Sequence, residues 1–463
     1  MDGEAVRFVH GRRILTADGW LDGTIEIADG RIAALRARRG PLEDGPGSLD
    51  VGDMTVIPGL VDTHAHMRDP GFTHKEDWAH GSRAAAAGGV TTVIDMPNVE
   101  PPPSTAERYA AHTANAARQA VVDFGHHAAG TMPSEIAGMA AAGAVGFKVF
   151  MKRDVARSYP HMPGTAVDDH ARLYEICEAV AATGRPLLVH PDDQALAELF
   201  ARRAWESEGR GFRAYARALR AGDGVTIDVG MATMLALQRA TGVRLHLLHV
   251  STPGAWELVR MAKAAGRPVT AEVNPFHLSV VNDWDTIERW GPFALGSWIP
   301  EAHAEATWSA VLDGTADVIG SDHTPHAREE KASGWDDMFA TPGGSPTIQH
   351  YLSLLLTEVA RGRISLERIV ELCATAPARL IGLAGMKGSI AVGADADLVV
   401  VDLERTTTIA EGDVLSKCGW TILDGREVTG APLLTILRGA VVARDGRVLA
   451  EEGGGRPVGD RLS

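Results

Sequence analysis

The chain has 463 residues, is 45% hydrophobic and 23% charged, and carries 45 Lys and Arg against 60 Asp and Glu for a formal net charge of -15. That length suits a barrel-sized core plus an accessory domain, and the balance excludes dominant disorder. The acidity argues against general binding to nucleic acid or anionic membranes, no run reaches the ~20 apolar residues of a bilayer span, and the acidic start Met1-Asp2-Gly3-Glu4 is unlike a signal peptide, so a cytoplasmic protein is expected.

In chain order, residues 24–28 and 31–35 read as strands flanking Asp29-Gly30, a pair that supplies the positive φ of a tight hairpin turn. The Gly- and Pro-rich residues 37–46 read as a surface loop. From about Ile57 to Leu383 short apolar runs recur, at 89–95, 145–150, 186–190, 244–250, 268–273 and 317–321. Between them lie Ala-rich amphipathic stretches at 105–120, 168–183, 231–241 and 254–265. Buried strands alternating with helices imply a parallel sheet, either open and doubly wound or closed as a (β/α)8 TIM barrel. No Gly-rich dinucleotide fingerprint follows a strand, which favours the barrel.

Strand character returns at 397–402, at 434–443, and at 447–450 beyond the turn Asp445-Gly446, while residues 453–463 read as a polar tail. Two β-rich ends around a long α/β middle predict that the termini pair into one small β-sandwich-like domain, residues 1–56 with 386–463, around a barrel over 57–385. Cys177, Cys373 and Cys418 lie far apart with no C-x-x-C, which predicts reduced, structural thiols.

The ends of the expected strands carry unusual residues. His64 and His66, two apart, project to one face of a strand. Lys148 sits inside an apolar run, where an unpartnered ammonium is costly. His190 ends its run, His249 comes near the end of another, and Asp322 follows the last. Each alone has a structural explanation, such as a helix N-cap for the Asp. Together they gather where barrel enzymes build active sites, and imidazoles with a carboxylate suit a two-metal hydrolase. His246, three residues before His249, is expected on the other face of its strand. His126, His127, His161 and His303 are expected to be structural or at the surface.

The run Pro58-Gly59-Leu60-Val61-Asp62-Thr63-His64-Ala65-His66 resembles the opening signature of the amidohydrolase superfamily, in its cyclic amidohydrolase branch of dihydroorotases, hydantoinases, allantoinases and dihydropyrimidinases. The likeness continues through Gly146-Phe147-Lys148, Val189-His190, His249-Val250-Ser251, residues 320–326, Ala376-Pro377-Ala378-Arg379 and residues 393–398, nearly the whole chain. It implies the barrel-plus-terminal-domain fold. It also implies that His64, His66 and Asp322 bind the more buried of two divalent metal ions, by default zinc, and that His190 and His249 bind the more exposed one. An N6-carboxylated Lys148 would bridge them, the metal-bridging hydroxide would attack, and Asp322 would shuttle the proton to the leaving nitrogen in a reversible ring opening. Family members are commonly homodimers or homotetramers.

Residues 68–77 and Met96-Pro97-Asn98 are similar to dihydroorotases, which place an Arg, an Asn and a His on the substrate carboxylate. That likeness assigns Arg68, Asn98 and His326 to an anionic cyclic amide and points to pyrimidine metabolism; the plainer alternative pairs Arg68 with Asp69 or Asp77. Other segments depart from dihydroorotases. The usual Thr-Pro-His-His reads Asn274-Pro275-Phe276-His277, leaving His277 as the remaining ring contact, and the loop at 296–301 carries Trp298. Phe276 and Trp298 either line a pocket for another ring, such as a hydantoin, allantoin or a lactam, or serve as packing.

Overall fold

The computed structural model describes residues 5–38, 45–154, 161–162, 164–280, 283–295 and 298–462. The acidic start, most of the loop expected at 37–46, and Gly296-Ser297 of the divergent loop lie outside the described residues.

The chain opens with β1 (Phe8–Thr16), β2 (Gly19–Ala28) and β3 (Arg31–Ala37), an antiparallel run. The expected hairpin lies between β2 and β3, with Asp29 at φ 52° and Gly30 at φ 75°, the left-handed pair that matches the twist of the strands. Short β4 (Ser48–Asp50) and β5 (Thr55–Pro58) pair parallel with β1. At Gly59 the chain passes directly from this sheet into the barrel. A Cβ there would stand 2.3 Å from Thr91 Oγ1, so the close approach requires glycine.

Eight strands then pair in sequence order, all parallel: β6 (Leu60–Ala65), β7 (Val90–Asp95), β8 (Asp123–Ala129), β9 (Gly146–Phe150), β10 (Leu187–His190), β11 (Leu245–Leu247), β12 (Val269–Val273) and β13 (Val318–Ile319). A parallel bridge between Ala65 and His323, with the His66 N–H donating to the His323 carbonyl at 2.9 Å, nearly closes the ring. Both faces of most strands are buried, which is why they read as continuous apolar runs. β8 escaped the sequence reading because Asp123, His126 and His127 interrupt its apolar character, although every residue in it is buried.

Helices cover the outside: α1 (Trp78–Ala87), α2 (Ala106–Ala117), α3 (Pro133–Ala141), α4 (His170–Ala181), α5 (Gln194–Glu208), α6 (Phe212–Leu219), α7 (Val225–Thr241) and α8 (Pro253–Ala264), followed by shorter pieces. Asp77, Thr105, Asp169, Asp193 and Thr252 each accept a backbone N–H at a helix start, the role short polar side chains fill there. Among the described residues no helix is long and apolar enough to cross a membrane.

β14 (Leu398–Thr408), β15 (Glu427–Leu437), β16 (Ala440–Arg444) and β17 (Arg447–Val448) complete the first sheet, with β14 antiparallel to β5. The stretch read as one strand at 434–443 is two, because Arg438 (φ 47°) and Gly439 (φ 77°) make a second tight turn. Residues 453–462 are no loose tail. Val458 and Leu462 are buried against the barrel, the Val458 N–H donates to the Phe124 carbonyl at 2.8 Å, and Arg461 pairs with Asp395. Two apolar residues four apart were enough to dock a segment whose composition is polar. All three cysteines are free thiols, with Cys177 and Cys373 buried.

Candidate metal centre and cavity

The alternation of β6 turns His64 and His66 inward together, their ring centroids 5.4 Å apart. A neighbour fixes the outer nitrogen of each: His64 Nδ1 is 2.6 Å from Glu272 Oε1, and His66 Nδ1 is 2.5 Å from Asn98 Oδ1. Their Nε2 atoms are thereby turned to Asp322 Oδ1, at 3.3 and 3.8 Å. Metal-binding histidines are commonly held in this way. Asp322 Oδ2 accepts from Asn274 Nδ2 at 3.1 Å. One ligand atom from each of His64, His66 and Asp322 lies within 4.8 Å of the others.

His190 and His249 join from the ends of β10 and β11, their rings 4.5 Å apart, with His249 5.7 Å from His64. Lys148 lies on β9, fully buried; its Nζ has no hydrogen-bond partner among the described residues and stands 4.3 Å from the Phe150 ring centroid. Arg68, His249 and Asp322 all adopt left-handed backbone, at φ 59°, 36° and 48°. Non-glycine residues hold such conformations at a cost, and they cluster at functional sites.

The electrostatics follow from burial. Desolvation pulls the Lys148 amine down to about 7, against the attraction of Glu272 and Asp322. Burial drives His190 down to about 3 and His249 well below its usual range, so both are neutral and each has one ring nitrogen with a free lone pair. Burial also opposes charge on His64 and on Asp322, but the mutual attraction of His64 with Glu272 and Asp322 outweighs it. That attraction raises the imidazole and holds the carboxyl well below the usual carboxylate range.

Five of the six expected ligands, together with Arg68, Asn98 and His277, line one cavity at the C-terminal mouth of the barrel; the sixth, Lys148, is fully buried and is not among its lining residues. Arg68 is fully buried. Its Nε donates to the Pro325 carbonyl at 3.2 Å, and its guanidinium lies 3.4 Å from His326 Nε2. Asp69 is instead taken by Asn115 and Gln119, and Asp77 by the His80 N–H and Lys417. His326 stands behind Arg68, with Nε2 3.0 Å from the Gly343 carbonyl, and is not among the residues lining the cavity.

One expectation changes. His246 does not face outward: it is buried inside the barrel, with Nε2 3.7 Å from Glu272, because the strand breaks after Leu247 and His249 turns back at positive φ. His161, expected to be structural or at the surface, is largely buried and hydrogen-bonded to Asp154. It lines the cavity with its ring 4.7 Å from that of His190. Phe276 and Trp298 serve as packing, in an apolar cluster with Ile287, Leu295 and Trp420.

Sequence reasoning missed Glu272, the Asp192–Lys152 pair beside His190, and Arg220, which donates to Ser251 Oγ and the Trp298 carbonyl. A carboxylate inside the apolar run 268–273 was a signal of the same kind as Lys148. The others are joined only by the folded chain.

The amidohydrolase family profile matches residues 55–442. An L-hydantoinase from Paenarthrobacter aurescens is 35% identical over 454 residues, covering 96% of each chain. A dihydroorotase from Methanothermobacter thermautotrophicus is 35% identical over 435 residues, covering 94% of this chain and 93% of its own. Among solved structures, the L-hydantoinase (dihydropyrimidinase) from Arthrobacter aurescens matches with a TM-score of 0.90 at 33% identity, over 98% of this chain and 99% of that one.

Proposed function

Because the chain belongs to the amidohydrolase family, we propose that its cavity hydrolyses the C–N bond of a cyclic amide, with two divalent cations held by His64, His66, Lys148, His190, His249 and Asp322. The observation that carries this reading is Lys148, fully buried, without a hydrogen-bond partner, and held near neutrality among ligand-type side chains. An uncharged amine is the form that adds to CO2; the addition releases one proton to solvent and leaves an anionic carbamate, a ligand where an ammonium would repel both cations. Imidazole and carboxylate donors suit zinc. When bound, the ions supply hydroxide near neutral pH and polarise the scissile carbonyl.

The protein's own groups do the rest. Asp322, oriented by Asn274, takes the proton of the attacking water and returns it to the ring nitrogen as the C–N bond breaks. Glu272 and Asn98 keep His64 and His66 in the required orientation. Arg68, with Asn98 beside it at the cavity wall, favours a ring bearing a carboxylate, for which a guanidinium is the natural partner. Dihydroorotate is therefore the preferred substrate. Hydantoins are the second reading, supported by the apolar wall of Phe150, Leu219, Ile227 and Leu295 and by the hydantoinase relatives.

The test is kcat/KM for both rings on metal-loaded protein. A value of about 10⁴ M⁻¹s⁻¹ or more for dihydroorotate, falling on Arg68→Gln mainly through KM, fits the first reading. Turnover of hydantoins alone, indifferent to Arg68→Gln, selects the second.

A further inference from the structure

His161 lines the cavity, yet nothing in the proposed reaction uses it. Its Nδ1 is 3.0 Å from Asp154 Oδ1, and its backbone N–H donates to Asp154 Oδ2 at 3.2 Å. Both side chains are largely withdrawn from solvent, at 10% and 4% exposure. The ring sits 4.7 Å from that of His190 and 5.1 Å from that of Phe150. A carboxylate can only accept, so Asp154 fixes the proton on Nδ1 and leaves the lone pair on Nε2. His10 shows the contrasting arrangement of a histidine used for structure: both its nitrogens are taken, by Thr24 and Ser48. His161 gives one nitrogen to the protein and keeps the other at the cavity wall, next to the ligand histidines where a ring amide would react.

We propose that His161 is a specificity-determining residue whose Nε2 accepts a hydrogen bond from a ring N–H of the substrate, with Asp154 as the residue that positions it. The inference rests on the reading of the cavity as a cyclic-amide hydrolase and sharpens it. The site then selects cyclic ureides and imides with a free ring N–H over their N-alkylated counterparts, because such a ring leaves the buried acceptor unpaired.

The experiment compares the metal-loaded wild type, His161→Phe, His161→Gln and Asp154→Ala. Affinity is measured for the ring that the wild type opens and for its N-methyl derivatives, as KM where a ring is opened and as competitive Ki where it is not. The wild type should disfavour at least one N-methyl ring by on the order of 30-fold. His161→Phe should weaken the parent ring by a similar factor while leaving that N-methyl ring unchanged. Glutamine, whose amide oxygen accepts, should recover part of the loss, and Asp154→Ala should give the same pattern more weakly. Metal content should stay at the wild-type level in all variants.

Equal losses on parent and methylated rings, or no loss at all, would overturn the proposal in favour of a passive wall. Loss of metal in His161→Phe would overturn it in favour of a ligand. A wild type that opens neither dihydroorotate nor hydantoin defeats the reading of the reaction, whereas an active wild type with an indifferent His161 defeats only this inference.

Discussion

Lys148 and Asp322 share one buried environment that treats them oppositely: burial pushes the amine toward its neutral form, whereas neighbouring histidines hold the carboxylate charged. Replacing Lys148 with Met should leave a folded protein, since the change removes a desolvated amine and fills its volume. It should also lower the metal content to at most one ion per chain after reconstitution with zinc and bicarbonate, read by elemental analysis. Asp322→Ala should keep the thermal transition but cut kcat by on the order of 10³-fold or more, as expected for a proton carrier; substantial residual turnover would remove it from that role. The candidate ligands stood out in the sequence because each breaks a local rule, a lysine in an apolar run or a histidine at a strand end, and the fold brings them together around one cavity. Glu272 gave no assignment, and Asn98 was assigned to the substrate without its contact to His66, since these contacts join residues 208 and 32 positions apart. His161 gave no local signal at all.

β5 and β6 form one continuous stretch broken only by Gly59, so the segment that completes the terminal sheet also carries His64 and His66. A methyl group at Gly59 would meet both Thr91 Oγ1 at 2.3 Å and Thr91 Cγ2 at 2.5 Å. Gly59→Ala should therefore destabilise by about 2 kcal/mol, and because the displaced strand bears two of the proposed ligands, metal affinity should fall with stability in calorimetric titration. Thr91→Ala in the same chain should restore part of both. Most barrel elements were readable from periodicity, with ends shifted by one to a few residues. β8 was not, since the polar residues that a buried strand tolerates through tertiary hydrogen bonds look like loop in isolation. The turn at Arg438-Gly439 was missed because arginine rarely takes positive φ, and here its N–H donates to Asp397 while its guanidinium meets Asp123.

For the molecule as a whole, buried neutral histidines set the response to acid. Burial lowers His127 to about 3 and His112 to about 4, whereas the unfolded chain takes up these protons near 6.5. Their stabilising effect is complete above pH 6.5 and is lost as pH falls toward 4 and then 3, because the unfolded state binds the additional protons. At pH 5 His127 alone accounts for a loss of roughly 2 kcal/mol. Asp62 works in the opposite direction: burial raises it to about 6, so it gains a proton in the folded state below that value and offsets part of the loss. The melting temperature of metal-free protein should fall between pH 7 and pH 5, and His127→Gln should flatten that slope. Fold class was visible from the two β-rich ends, yet the strand order that joins them was not, since register depends on partners far along the chain. β5 pairs on one side with β1, but its other neighbour is Leu398–Val401 of β14. A ribosome adding about 5–20 residues per second needs on the order of half a minute to make the intervening chain. Throughout that interval the nascent β5 lacks one of its two neighbours, and an open strand edge is a template for wrong pairing until Leu398–Val401 arrives.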